Sequence, residues 1–158
     1  MILVTLGTQD KPFTRLLDAL VRLKTVHHLE DVIVVQAGFT PYSSDVIEIK
    51  DYYSQIELDQ LRKKADLIIT HAGVGSILDC LKLNKKVIGV ARLEKYGEHA
   101  NDHQYELLDA FSEAGYILRC DDLDDLYNVI LSVRSFNPQP YPFDNSKVLK
   151  TVFDAITK

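Results

Sequence analysis

The chain has 158 residues, 46% of them hydrophobic and 26% charged, with a formal net charge of −5. That length and composition suit one globular domain with a sizeable core and exclude a disordered or fibrous chain. The net negative charge provides no whole-molecule attraction to nucleic-acid phosphates, and no apolar run approaches the roughly 20 residues that span a bilayer.

Residues 2–6 read as a buried strand ended by Gly7, without the basic region, long apolar stretch and small-residue cleavage site of a signal peptide. Phe13, Leu16, Leu17, Leu20 and Val21 then recur at helix spacing. Residues 32–35 form a second strand ended by Gly38, and 46–49 a shorter third. A helix over 54–64 follows, with Ile56, Leu58 and Leu61 as its apolar positions. Residues 67–70 are the next strand, and the turn 71–76 leads into a helix through about 83. A strand over 87–90, a polar loop, a helix over 101–114 with Gly115 in its C-cap region, a short strand at 116–118 and a helix over 123–133 complete the alternation. Pro138, Pro140 and Pro142 mark a stiff, extended linker before a last helix over about 145–156, which nothing in the sequence obliges to pack on its own domain. The division expected is a domain at 1–135 and a linker plus docking helix at 136–158.

Continuous apolar strands separated by helices imply an α/β fold: a Rossmann-like parallel sheet with helices on both faces. Such sheets bind ligands beyond the carboxyl ends of their strands, which directs attention to the loops after Leu6, Thr70 and Val90. In His71-Ala72-Gly73-Val74-Gly75-Ser76, two glycines and a hydroxyl residue stand between a buried strand and a helix. Glycine permits positive φ and close backbone approach, and a helix start offers free N–H groups to a diphosphate. Ser76 would cap the helix or donate to a phosphate, and the same residues also describe a plain capped turn. Asp79 can accept two hydroxyl hydrogen bonds from a ribose or complement the helix dipole. Gly7, Thr8 and Gln9 could add backbone donors opposite. Asn101, His103 and Gln104 offer a fan of groups to sugar hydroxyls, or a capped, solvated helix start.

Other features read more simply. His99 and His103 lie four apart and could share a helix face, but no third ligand accompanies them, so neither a metal nor a cofactor is called for. The acidic run 121–125 reads as a solvated helix start rather than a metal-binding D-x-D. Arg15, Arg22 and Lys24 lie on the polar side of the first helix, whose apolar face is core rather than a lipid contact. Cys80 and Cys120, far apart and outside any CxxC, read as structural thiols of a reducing compartment. Ser76 lacks the G-x-S-x-G elbow of a hydrolase nucleophile.

The stretch from Ile69 to Asp79, together with Asn101-Asp102-His103-Gln104-Tyr105-Glu106-Leu107, resembles the C-terminal donor-binding domain of glycosyltransferase family 28. The likeness is to its free-standing members: bacterial capsule and exopolysaccharide subunits called galactosyltransferase enhancers, and the small catalytic subunit of the dolichol-pathway N-acetylglucosaminyltransferase. The opening Val4-Thr5-Leu6-Gly7-Thr8-Gln9 with Pro12-Phe13 looks like the bacterial group. The resemblance implies the C-terminal half of a GT-B enzyme and inverting transfer of a sugar from a UDP-sugar to a lipid-linked saccharide acceptor, with galactose or N-acetylglucosamine favoured and glucuronic acid also open. The 71–76 loop would hold the UDP diphosphate, Asp79, in place of the more usual Glu, would contact ribose, and His103 and Gln104 would lie near the donor sugar. A membrane-associated acceptor-binding glycosyltransferase subunit would be the partner and a candidate source of the general base. The chain itself would be cytoplasmic, at the inner face of the membrane through that partner. The alternative role is a non-catalytic enhancer of a partner enzyme.

Overall fold

The computed structural model describes residues 1–143. Short aliphatic runs without helix periodicity become the strands β1 (Ile2–Thr5), β2 (Ile33–Gln36), β3 (Glu48–Lys50), β4 (Leu67–Thr70), β5 (Lys86–Gly89) and β6 (Leu118–Arg119). They form a single parallel sheet in the order β3-β2-β1-β4-β5-β6. The helices are α1 (Thr14–Thr25), α2 (Gln55–Lys64), α3 (Val74–Lys82), α4 (His103–Glu113) and α5 (Leu126–Ser132).

Alternation along the strands builds two cores from one sheet. Ile2 and Val4 of β1 and Ile69 of β4 face a cluster completed by Leu16, Leu17, Leu20 and Leu23 of α1 and by Leu126 and Ile130 of α5. Leu3 and Ile68 face the opposite cluster, completed by Leu58 of α2, Ile77, Cys80 and Leu81 of α3, and Leu108 and Phe111 of α4. The expected three layers are therefore present. Each fully buried leucine of α1 contributes roughly 2 kcal/mol of transfer free energy.

Three details depart from the sequence reading. Ile56 is 72% exposed, and α2 buries Leu58 and Arg62 instead, one turn apart on the face toward the sheet. The third strand starts at Glu48, because Val46 remains exposed and only Ile47 beside it is buried. The segment 123–133 is divided: a 3-10 turn at Leu123–Asp125 precedes α5, and the Asp122 carboxylate accepts the Asp124 N–H at 2.9 Å. The acidic run thus opens a helical segment, as read.

The start of the proline segment is not free of the domain. The Gln139 N–H donates to the Gly115 carbonyl at 2.9 Å. The Tyr141 ring stacks on Phe111, 5.9 Å between centroids, and meets Tyr116 edge-on at 4.9 Å. Gln139 and Tyr141, which lie past the expected boundary at 135, are therefore packed against the main body. The helix expected over 145–156 lies outside the described residues.

Candidate functional site

From β1 the chain passes to β2 on one side, and β4 lies on the other, so the loops after β1 and β4 diverge at the centre of the sheet. That divergence opens the crevice in which parallel sheets hold ligands. The strands end there on one level, with Thr5 in register with Gln36 and Thr70, and Thr70 with Gly89. Thr5 and Thr70 are buried and joined through their hydroxyls at 3.2 Å. Gln36 accepts the Tyr53 N–H at 3.0 Å through its side-chain oxygen.

His71 follows at the centre. Its N–H donates to the Thr5 carbonyl at 3.2 Å, and its Nδ1 lies 3.4 Å from the same oxygen. A proton on Nδ1 satisfies that carbonyl and leaves Nε2 as an acceptor, facing Gly7 and Gly73. A Cβ on Gly7 would stand 2.4 Å from Nε2, and one on Gly73 would stand 2.5 Å from it. The two glycines are therefore the walls of a slot for the imidazole. Burial, and after it the charge of Arg92, lowers the His71 pKa to about 4, so the ring is neutral at pH 7.

The turn differs from its sequence reading in two respects. Its positive φ belongs to Ala72, at 67°, while Gly73 is extended, at φ −70° and ψ 131°. Helix α3 starts at Val74, so Gly73 is the N-cap and Ser76 already stands in the first turn, too late to cap it. Among the described residues no side chain caps α3, and its first intrahelical bond is Ile77 N–H to the Gly73 carbonyl. The amides of Val74, Gly75 and Ser76 consequently have no intrahelical partner, as at any helix start, and no described residue stands within 4 Å of where a Gly75 Cβ would lie.

Asp79 sits in the second turn of α3, beyond the reach of a helix-end dipole effect, and is half exposed. Its Oδ2 is 3.5 Å from Nη2 of Arg62, and its Oδ1 is 3.8 Å from Nζ of Lys82. Thr8 is exposed at the tip of the β1 loop, while Gln9 reaches across to His99, Nε2 to Nε2 at 3.4 Å.

The loop after β5 is more internally bonded than its polarity suggested. Arg92 is 1% exposed and donates to the carbonyls of Leu6 and Lys11, both at 2.6 Å, and to that of Glu98 at 3.3 Å. Glu98, also buried, accepts Arg15 through both oxygens at 2.9 and 3.0 Å, and the Leu93 N–H at 3.0 Å. Two guanidinium groups and one carboxylate thus join the β1 loop to the β5 loop and leave a net positive charge behind the crevice. Burial lowers the pKa of Arg92, and Glu98 acts against that shift.

Gln104 is buried, and its side-chain oxygen accepts the Arg92 N–H at 3.2 Å, so that oxygen is not free for a sugar. Asn101 accepts the His103 N–H at 3.1 Å and so caps the entry to α4. His103 is exposed, 3.7 Å from Glu106. His99 precedes α4, which begins at His103, so the two histidines do not share a helix face. Among the described residues no three His, Cys, Asp or Glu side chains cluster as metal ligands. The cations of α1 are all engaged internally, Arg15 with Glu98, Arg22 with Asp124, and Lys24 with the carbonyls of Leu29 and Asp31. Both thiols are buried, and burial raises Cys80 to about 11 and Cys120 to about 12.

Nothing in the sequence marks Arg62 for a role, and Arg92 and Glu98 stand among many polar residues of one loop. One signal was available: β1, β2 and β4 all end in a polar residue, Thr5, Gln36 and Thr70, which marks the end of the sheet where the core opens.

The parallel sheet, its switch point and the helices on both faces define a Rossmann-like domain of the kind found in GT-B glycosyltransferases. The solved structures agree on the fold. The NMR solution structure of ALG13 superposes with a TM-score of 0.64 at 21% identity, over 96% of this chain and 93% of that one. The calicheamicin glycosyltransferase CalG4 superposes with a TM-score of 0.60 at 16% identity, over 98% of this chain and 36% of that one.

The chain belongs to the glycosyltransferase family 28 C-terminal domain family, whose model matches residues 1–157. Among curated relatives, UDP-N-acetylglucosamine transferase subunit ALG13 of Candida glabrata is 36% identical over 92 residues, 58% of this chain and 37% of that protein. The Saccharomyces cerevisiae protein of the same name is 42% identical over 60 residues, 38% of this chain and 28% of that protein. The matching stretch thus spans well under half the length of either relative.

Proposed function

We propose that this chain is the donor-binding, catalytic subunit of a two-component inverting glycosyltransferase that takes its sugar from a UDP-sugar. The observation that carries this reading is the α3 start at the switch point. Three amides have no intrahelical partner there, no described residue stands within 4 Å of a Cβ built on Gly75, and the imidazole slot lies between Gly7 and Gly73 beside them. In the reaction an acceptor hydroxyl attacks the anomeric carbon from the face opposite the diphosphate, the bond from that carbon to the β-phosphate oxygen breaks, and UDP leaves with that oxygen while the hydroxyl proton passes to a base. The charge that develops on the leaving diphosphate is met by helix amides, without reorganisation, and by the field of Arg92 behind them. Asp79 takes the ribose, and His103 and the free amide nitrogen of Gln104 lie toward the sugar.

A GT-B site closes between two halves, and this chain corresponds to one of them. The acceptor half and the base that takes the hydroxyl proton come from a membrane-associated partner, which brings the chain to the inner face of the membrane and presents a lipid-linked saccharide. The docking element is the segment 136–158, of which the described part already lies on the domain. The relatives' name supports N-acetylglucosamine as the transferred sugar. Galactose, and with it capsule or exopolysaccharide synthesis, is the competing assignment.

Calorimetric titration with UDP, UDP-N-acetylglucosamine and UDP-galactose tests donor binding, and transfer assays with partner alone and with the pair test catalysis. Gly73→Asp puts a carboxylate beside His71 and at the mouth of the amide site, and should abolish both binding and paired transfer. Full transfer by the pair carrying Gly73→Asp would leave only the enhancer role.

A further inference from the structure

We infer that Arg62 is a positioning residue for nucleoside recognition: it orients Asp79 toward the ribose diol, and so makes the site select a ribonucleotide over a deoxyribonucleotide. The inference rests on the donor-site reading above and adds a residue that lies outside the crevice.

Asp79 is a short carboxylate at a half-exposed position, and by itself it would turn freely about its side-chain torsions. Two hydroxyl hydrogen bonds from one diol require both oxygens to be presented together, so something must hold the group. Arg62 has the means. It projects from α2, its side chain is 8% exposed, and its Nη1 donates to Asp59 Oδ1 at 2.9 Å. Asp59 is in turn held by Gln55 Nε2, also at 2.9 Å. With one edge of the guanidinium anchored in this way, Nη2 reaches Asp79 Oδ2 at 3.5 Å. Lys82 approaches the other oxygen from one turn further along α3.

Both cations therefore come from α2 and from the carboxyl-terminal side of α3. At 3.5 and 3.8 Å these contacts leave acceptor capacity on both Asp79 oxygens for a ligand. Charge in this group is balanced, two carboxylates against Arg62 and Lys82.

The Nε of Arg62, like that of Arg92, is buried without a hydrogen-bond partner among the described residues. An unsatisfied buried donor on a charged group is destabilising, and an apolar side chain on α2 would fill the same position against the sheet. A guanidinium kept there under strain of this kind is consistent with a task at its other end, which is Asp79. The long 3.5 Å approach fits a contact that steers the carboxylate without using up its acceptors.

The test is calorimetric titration of UDP and 2′-deoxy-UDP against the full chain, as wild type, Arg62→Met, Arg62→Lys and Asp79→Asn. The wild type should bind UDP about tenfold more tightly than 2′-deoxy-UDP, the scale of one hydrogen bond to a charged group. Arg62→Met should weaken UDP until the preference falls below about twofold, with 2′-deoxy-UDP affinity within about twofold of wild type, and Asp79→Asn should do the same. Lysine has no fork to hold Asp59 and Asp79 together, so Arg62→Lys should also lose most of the preference. It decides the matter should the Met variant fail to fold in thermal melts. A preserved tenfold preference in the folded Arg62 variants, or an equal loss for both nucleotides, would overturn the inference while the donor site stands. Equal binding of both nucleotides by the wild type would overturn it too, and absence of any binding would remove the donor reading with it.

Discussion

At His71 a single side chain couples the fold to the site. Its neutral form is buried between two glycine Cα atoms, with a folded pKa of about 4 against an ordinary value near 6.5. As pH falls from 6.5 toward 4 the unfolded chain takes up this proton before the folded one does. The contribution is therefore whole above pH 6.5 and is lost on acidification, by about 3 kcal/mol at most. Thermal melts between pH 4 and 7.5 should show a shallower acid limb for His71→Gln than for the wild type, and parallel limbs would refute this assignment. The slot has a second consequence. Gly7 has φ 75° and no room for a Cβ, so Gly7→Ala should cost about 2 kcal/mol in urea unfolding and weaken UDP at least tenfold in calorimetry.

Between elements, the Arg15–Glu98–Arg92 group decides how the β1 and β5 loops meet. Glu98→Gln removes the buried carboxylate that holds Arg15 through both oxygens and that offsets the charge of the fully buried Arg92. Chemical denaturation should show a loss of about 3 kcal/mol, the usual result of removing one partner from a buried pair. The Arg22–Asp124 pair is the contrast. Both partners are exposed, and Asp124→Asn should change stability by less than about 0.5 kcal/mol. Ser54 begins α2 with a reciprocal capping box: its hydroxyl accepts the Glu57 N–H at 3.3 Å, and the Glu57 carboxylate accepts the Ser54 N–H at 2.7 Å. Ser54→Ala should cost about 1 kcal/mol in the same measurement, and because α2 carries Arg62, amide exchange should quicken along that helix.

On the scale of the whole molecule, the proline segment belongs to the domain as much as to any partner. Tyr141 completes an aromatic group with Phe111 and Tyr116 on α4 and the start of β6's approach. Tyr141→Ala should lower stability by about 2 kcal/mol. Removal of residues 144–158 should leave the thermal melt close to wild type while abolishing capture of the acceptor-binding subunit proposed above. Undiminished capture by the truncated chain would place the docking surface elsewhere.

Much of this architecture was legible in the residues themselves. β4 is the segment 67–70 read from Leu67-Ile68-Ile69-Thr70, and the strand and helix order needed only local periodicity and glycine breaks. Element ends were less legible: the α3 start at Val74 depends on Ala72 taking a left-handed φ, which no propensity favours. What lay beyond sequence reading were pairings across long separations. Gly7 with His71, Arg92 with Leu6, and Arg62 with Asp79 each join segments that only the sheet order β3-β2-β1-β4-β5-β6 brings together. Side-chain spacing along a chain encodes which faces are apolar, since burial repeats with the local helix or strand period. Which cation meets which carboxylate has no such period, and it is settled by the folded sheet.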